Sequence, residues 1–186
     1  MTTFNFPGMK AFLIAFLTIN FISARKSRNP SAVGSDLEIR KYLDTKFQVK
    51  GAIWLTDNNF TKFVSMESRE YNALVMITTT DSKYGCSICH KGINTLSEVG
   101  LQYASQYSLQ SDNLKERLAF FIMDIDSSAK TSQQLRIGYV PTILLFTVDE
   151  VRGPRLEGLE INYEQALDSA QDFIAILNEL LELKVR

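Results

Sequence analysis

Two cysteines and one histidine are all that this 186-residue sequence offers for crosslinking chains or binding soft metals, and all three fall within residues 86–90. That scarcity excludes a disulfide-dense scaffold and leaves a structural zinc site short of a full tetrahedral ligand set. An excess of charge of either sign is also missing. Lys and Arg number 20 against 21 Asp and Glu, with the signs interspersed, so there is no electrostatic footprint for nucleic acid. The sequence has no internal repeat, no low-complexity tract and no apolar run of the roughly 20 residues that span a bilayer. It carries no cluster of metal-binding acids and no sugar-nucleotide motif, so glycosyl transfer by this chain alone, a metal and a cofactor are not expected. What is present is 45% hydrophobic and 22% charged residues, the balance of one compact domain with a sizeable core.

The N-terminus has the pattern of a secretory signal. Met9-Lys10 precedes the apolar "AFLIAFLTINFI", and Ser23 and Ala24 lead into the basic "RKSRNP". Cleavage after Ala24 is expected, which makes residues 1–24 a signal peptide, residues 25–35 a linker and residues 36–186 the folded domain. A secretory route leads to an oxidising compartment, where a cysteine pair persists as a disulfide unless something reduces it. The C-terminal "LELKVR" is not a KDEL-type retention signal.

Hydrophobic periodicity alternates along the chain. "DLEIRKYLDTKF" predicts a short amphipathic helix from Asp36, "GAIWL" a strand and "DNNFTKFVSM" a capped helical turn. "NALVMITT" and "LAFFIMDID" are continuous apolar runs, the kind buried on both faces of a sheet. Between them, Cys89, Ile93, Leu96, Gly100, Tyr103 and Tyr107 mark one face of a long helix. "SSAKTSQQLRI" reads as helix, "TILLFTV" as strand and "VRGPRLEG" as a turn. A last helix is predicted behind an Asn162 cap with Gln165 reaching back, its apolar face being Leu167, Ala170, Phe173, Ile174, Leu177 and Leu181. Alternating strands and helices predict an α/β sandwich around a partly parallel, mixed sheet flanked by helices.

"KYGCSICHKG" is the stretch that carries chemistry. Two cysteines separated by two residues serve disulfide exchange, a metal, a haem or a structural staple. With His90 next in line the motif also matches the c-type haem signature, and Met66, Met76 and Met123 are conceivable axial ligands, but apolar segments use Met as core filler and strands surround the motif. Cys86 falls where a buried strand gives way to a long helix. Its sulfur there sits beside unpaired backbone N–H groups and the positive end of the helix dipole, which stabilise a thiolate. Cys89 lies on the same side of the first turn, within reach for closing a Cys86–Cys89 disulfide or for resolving a mixed one.

A second element is "YVPTILLF", in which Pro141 opens a strand, a position tolerant of proline. The order CxxC, strand, helix, X-Pro-Thr, strand, final helix resembles thioredoxin-like proteins. That resemblance implies a cis Val140-Pro141 bond facing the cysteines and leaving backbone free to pair with an extended substrate. "ALVMITT", "CSICHKG", "LAFFIMDID", "QQLRIGYVPTILLF" and "FIAILNELLEL" together resemble, over residues 36–186, the luminal thioredoxin-like domain of the oligosaccharyltransferase accessory subunit and magnesium-transporter-related family. Membership implies an endoplasmic reticulum domain, followed by membrane helices in a longer product, that assembles with other oligosaccharyltransferase subunits. It implies that nascent glycoproteins are held near the catalytic subunit by transient mixed disulfides and a peptide groove. By position, Cys86 would be the attacking thiolate and Cys89 the resolving thiol, while Tyr139, Val140 and Pro141 would meet the substrate. The chain departs from thioredoxin itself in Ser87 and Ile88 between the cysteines, in Tyr84-Gly85 before them, and in Thr80 where thioredoxin has a buried acid six residues ahead. Those departures favour holding a substrate over rapid reductase turnover. A free-standing secretory oxidoreductase and a binding module with a structural dithiol are the other function classes.

His90 is expected to face solvent, Trp54 to pack in the core or sheet, and Arg152-Gly153-Pro154-Arg155 to form a solvated turn. Asn59-Phe60-Thr61 satisfies the N-glycan acceptor pattern, which makes Asn59 a candidate modification site.

Overall fold

The computed structural model describes residues 30–66, 69–148 and 158–182, with side chains from Asp36 onward. The expected signal segment, the first part of the linker and the Arg152–Arg155 turn lie outside the described residues.

The two continuous apolar runs form the centre of the sheet. β2 (Asn72–Thr78) and β3 (Leu118–Asp124) pair in parallel from Asn72 opposite Leu118 to Thr78 opposite Asp124, and nearly every residue of both is buried. β1 (Ile53–Leu55) extends β3 in parallel. On the other side β4 (Thr142–Phe146) runs antiparallel to β2, and β5 (Leu159–Ile161) antiparallel to β4, which gives the order β1-β3-β2-β4-β5.

Alternation along the strands fixes which helix covers which face. Gly92 in α3 (Ser87–Gln106) sits so close to β2 that a methyl group there would lie 3.0 Å from the Met76 sulfur, so α3 covers the face shared by Met76 and its partner Ile143. Phe60 of α2 (Asp57–Phe63) packs edge-on against Phe146, which points to the opposite face, with ring centroids 6.2 Å apart. α1 (Pro30–Lys50) and α6 (Ala170–Leu181) pack against α3, and α4 (Ala129–Gln134) packs against α2.

α1 begins at Pro30, six residues before the expected boundary, and so takes in part of the predicted linker. Proline suits a first helical position because its φ is preset and its missing N–H would have been unpaired there. The helix ends on Gly51, whose φ of 69° is left-handed and whose N–H reaches Phe47 O at 2.9 Å. A buried charge network ties this helix to the sheet. Arg40 Nε donates to Asp36 at 2.7 Å, Arg40 Nη1 to Leu109 O at 2.9 Å, and Asp36 accepts the Glu70 N–H at 3.1 Å. Arg117 reaches the Glu70 carboxylate at 3.5 Å, so the buried charges are paired.

Three expectations are corrected. The predicted turn through "VRGPRLEG" is followed by β5, whose three residues include only one buried position, too few to show a period. The single closing helix is two. Asn162 caps a short α5 (Tyr163–Ala166) by accepting the Glu164 N–H at 2.9 Å, and Ser169 caps α6 by accepting the Asp172 N–H at 3.1 Å. The predicted apolar face survives the break, with Leu167, Ala170, Phe173, Ile174, Leu177 and Leu181 all buried. Trp54 is 45% exposed instead of packed in the core, because β1 is an edge strand and its middle side chain turns outward.

Candidate redox site at the end of the sheet

β2 delivers the chain into a loop that is held down by two aspartates from the end of β3. The Thr80 N–H and hydroxyl both donate to Asp124 at 2.8 Å, and Asp124 also accepts the Asp126 N–H at 2.9 Å. Asp81 caps a 3-10 turn, Ser82–Tyr84, by accepting the Lys83 N–H at 2.8 Å. The Lys83 ammonium then bridges Asp81 at 2.9 Å and Asp126 at 3.1 Å, and the Tyr84 hydroxyl donates to Asp126 at 2.9 Å. Gly85, at φ 59°, turns the chain into α3. In the sequence "DID" is merely the end of a strand. Its carboxylates prove to anchor the loop that presents the cysteines, a role that only the β2–β3 register reveals.

Partial burial pushes the Asp124 carboxyl up, but hydrogen bonds from Thr80, Ser127 and Asp126 outweigh it and hold the group below its usual range. Asp81 is held low mainly by its bonds from Lys83, and the Lys83 ammonium is held high by Asp81 and Asp126. A carboxylate with a depressed folded pKa contributes stability above its unfolded pKa and loses it as pH falls through the folded value. The Thr80 amide, corrected for intrinsic exchange rate, is therefore expected to lose hydrogen-exchange protection below about pH 4, while Val75 in β2 keeps its own. Equal protection of Thr80 at pH 7 in the parent and in Asp124→Asn would show that Asp124 does not hold the loop.

Cys86 is the N-cap of α3, and its sulfur is bonded to that of Cys89, with Cα atoms 5.3 Å apart. Cys86 is half-buried and Cys89 fully buried, so an incoming group can reach only the first sulfur. No acidic residue stands in the first turn of α3 to offset the positive helix end. His90 is exposed on that turn. Met76 and Met123 are fully buried strand residues.

The Val140-Pro141 bond is cis. The last β2–β4 pair is Ile77 with Thr142, so one further step puts Pro141 beside Thr78, at the sheet end from which the chain departs toward Cys86. Among the described residues neither the N–H nor the C=O of Val140 has a backbone partner. Tyr139 is 52% exposed; its hydroxyl donates to Glu160 and its ring leans on Tyr163 at 6.2 Å. A cleft of about 660 Å³ opens between α2, the α4–β4 connection, β4 and β5, lined by Phe60, Leu135, Ile137, Tyr139, Leu144 and Glu160 among others. Neither cysteine lines it. Asn59 sits on α2, on the face away from α3, half-buried and with its side-chain carbonyl accepting the Thr56 N–H at 2.6 Å. The register thus brings Pro141 beside Thr78 at the end of the sheet from which the chain departs toward Cys86 and Cys89, and Asn59 lies on the other face of the sheet.

The sheet order, the CxxC at a helix start and the cis proline before β4 invite comparison with known proteins. A model of the OST3 / OST6 family, transporter family, matches residues 40–186. The chain belongs to the OST3/OST6 family. Over 83 residues it is 28% identical to the probable dolichyl-diphosphooligosaccharide–protein glycosyltransferase subunit 3 of Dictyostelium discoideum, a match covering 45% of this chain and 23% of that protein. The match thus spans about a quarter of that relative's length. The crystal structure of the Trx4 domain of ERdj5 aligns with a TM-score of 0.51 and 15% identity over 72% of this chain and 97% of that one, which shows a thioredoxin-like fold for this family member. Chloroplastic thioredoxin z aligns at a TM-score of 0.47 with 20% identity, over 70% of this chain and 94% of its own. Among the described residues no helix is long and apolar enough to cross a membrane.

Proposed function

We propose that this chain is an accessory subunit of the oligosaccharyltransferase complex that supports protein N-glycosylation from the endoplasmic reticulum lumen. It associates with the membrane through the complex or through helices of a longer product. One observation carries the mechanistic part: a half-buried Cys86 is bonded to a fully buried Cys89 at a helix N-terminus, in a chain of this family. The reduced Cys86 is the attacking thiolate on a client disulfide, one client sulfur departing, and the oxidised pair accepts a client thiolate at Cys86 with Cys89 departing. Either way the client is held through a mixed disulfide until Cys89, the resolving thiol, attacks Cys86 and displaces it. The unpaired backbone of Val140 offers the client one strand-like anchor beside that bond, with Tyr139 at its edge. The name of the Dictyostelium relative supports the complex, and the secretory signal pattern supports the compartment.

The test is co-purification. The tagged full chain, solubilised from microsomes in mild detergent, is expected to bring down the catalytic glycosyltransferase subunit and to yield no glycosyl transfer when purified alone. Recovery as a free species without that subunit would overturn the accessory role in favour of an independent oxidoreductase.

A further inference from the structure

Thr78, the last residue of β2, is fully buried, and its hydroxyl has no hydrogen-bond partner. Its carbonyl is satisfied by Ile125 N–H at 2.9 Å, so the unmet demand belongs to the side chain alone. A buried polar group left unpaired is unfavourable, and at the end of a strand whose five preceding residues, Ala73 to Ile77, are apolar it calls for a reason.

The surrounding geometry supplies one. Side chains alternate along a strand, so Thr78 points to the same face as Met76, the face covered by α3. Met76 lies beneath Gly92, where an added methyl would stand 3.0 Å from its sulfur. From that contact β2 advances two residues, about 6.6 Å, to reach Thr78. α3 steps back three residues, about 4.5 Å, to reach Cys89, which moves toward the same end of the sheet because the helix starts where the strand ends. Both residues are fully buried. Thr78 and Cys89 are therefore placed toward the same end of the interior between β2 and α3, with Pro141 flanking Thr78 on the β4 side and Asp124 on the β3 side.

We propose that the Thr78 hydroxyl is the internal hydrogen-bond donor to the Cys89 sulfur when the Cys86–Cys89 bond opens. The proposal rests on the reading of this CxxC as an exchanging pair. In capture, a client thiolate forms a bond to the Cys86 sulfur, the Cys86–Cys89 bond breaks, and its electron pair passes to Cys89, where Thr78 O–H stabilises the new thiolate. In release, Cys89 attacks Cys86, the disulfide re-forms and the electron pair leaves on the client sulfur. Thr78 keeps its proton throughout. In the disulfide the sulfur is a poor acceptor and the hydroxyl is idle; a buried thiolate is a strong one, and burial without a donor would disfavour it. The other ionisable groups at this end are already committed or turned away. Asp124 is engaged by Thr80 and the following backbone, His90 is on the outer side of the first turn, and Asp168 pairs with Lys91 at 3.7 Å.

Thr78→Val removes the hydroxyl at nearly constant shape, and Thr78→Ser keeps it. In the full chain equilibrated with glutathione, Thr78→Val is expected to shift the exchange equilibrium about tenfold toward the disulfide, and Thr78→Ser to restore it. With Cys86→Ser added, leaving one thiol, the titration profile of Cys89, followed by ultraviolet thiolate absorbance, should move up by about one pH unit in Thr78→Val and return in Thr78→Ser. A structural role alone would change the melting temperature and leave equilibrium and profile in place. Native values of both in Thr78→Val overturn this proposal and leave the exchange reading standing. A native chain whose disulfide does not equilibrate with glutathione overturns the exchange reading and this proposal with it.

Discussion

A Gly100→Ala variant is expected to lose about 3 kcal/mol of stability, the upper range for overpacking, and to melt roughly 10 °C lower. The reason is a backbone contact between α1 and α3. A methyl group on Gly100 would stand 2.6 Å from the carbonyl carbon of Gly51 and closer still to its oxygen, and a methyl on Gly51 would stand 2.8 Å from the carbonyl carbon of Ser97. Backbone cannot rotate aside as a side chain can, so one helix must lift off the other. Gly51 has no freedom to yield, since its left-handed φ of 69° closes α1 and starts the turn into β1. Gly138→Ala is the control, because an added methyl there would meet nothing within 4 Å. Thermal melts in which the two variants behave alike would remove the α1–α3 contact from the account of stability.

The second large effect is chemical. Cys89→Ser is expected to accumulate reducible high-mass adducts at least roughly tenfold above Cys86→Ser when both are expressed in the secretory pathway and alkylated before lysis. With Cys89 gone, Cys86 keeps its half-exposed place at the N-cap of α3, and its thiolate attacks a client disulfide, one client sulfur leaving as a thiolate, but no neighbouring thiol remains to displace the client. With Cys86 gone, the remaining thiol is fully buried and one turn further into the helix, where access is closed and the dipole weaker. Far-UV circular dichroism identical to the parent's establishes that both variants fold. Equal trapping would reject the division of roles, and trapping by neither would reduce the pair to a staple.

Much of this molecule was legible as pattern. The runs at residues 72–78 and 118–124 announced themselves as central strands because burial on both faces leaves no polar alternation, and a long amphipathic α3 followed from one apolar residue every third or fourth position. The CxxC could be placed at a strand-to-helix junction for the same reason. Reading failed where elements were short or where a neighbour in space set the outcome. β5 offered three residues and one buried side chain, and the break at Leu167–Ser169 is hidden by an apolar face that runs straight through it. Trp54 was misjudged because a large aromatic suggests a core, whereas exposure depends on β1 being an edge.

By itself, the sequence determined the layered α/β plan and the location of the cysteine pair, since both depend on local periodicity and on residues three apart along one helix. Only the tertiary structure decided what surrounds that pair. Asp124 and Asp126, some 40 residues downstream, clamp its loop because the β2–β3 register sets Thr78 opposite Asp124. Gly92 seats α3 on Met76 of β2, and among the described residues the backbone of Val140 has no backbone partner because β4 begins two residues after it. Such contacts join residues far apart in the chain through sheet register and helix seating, which no window of sequence contains.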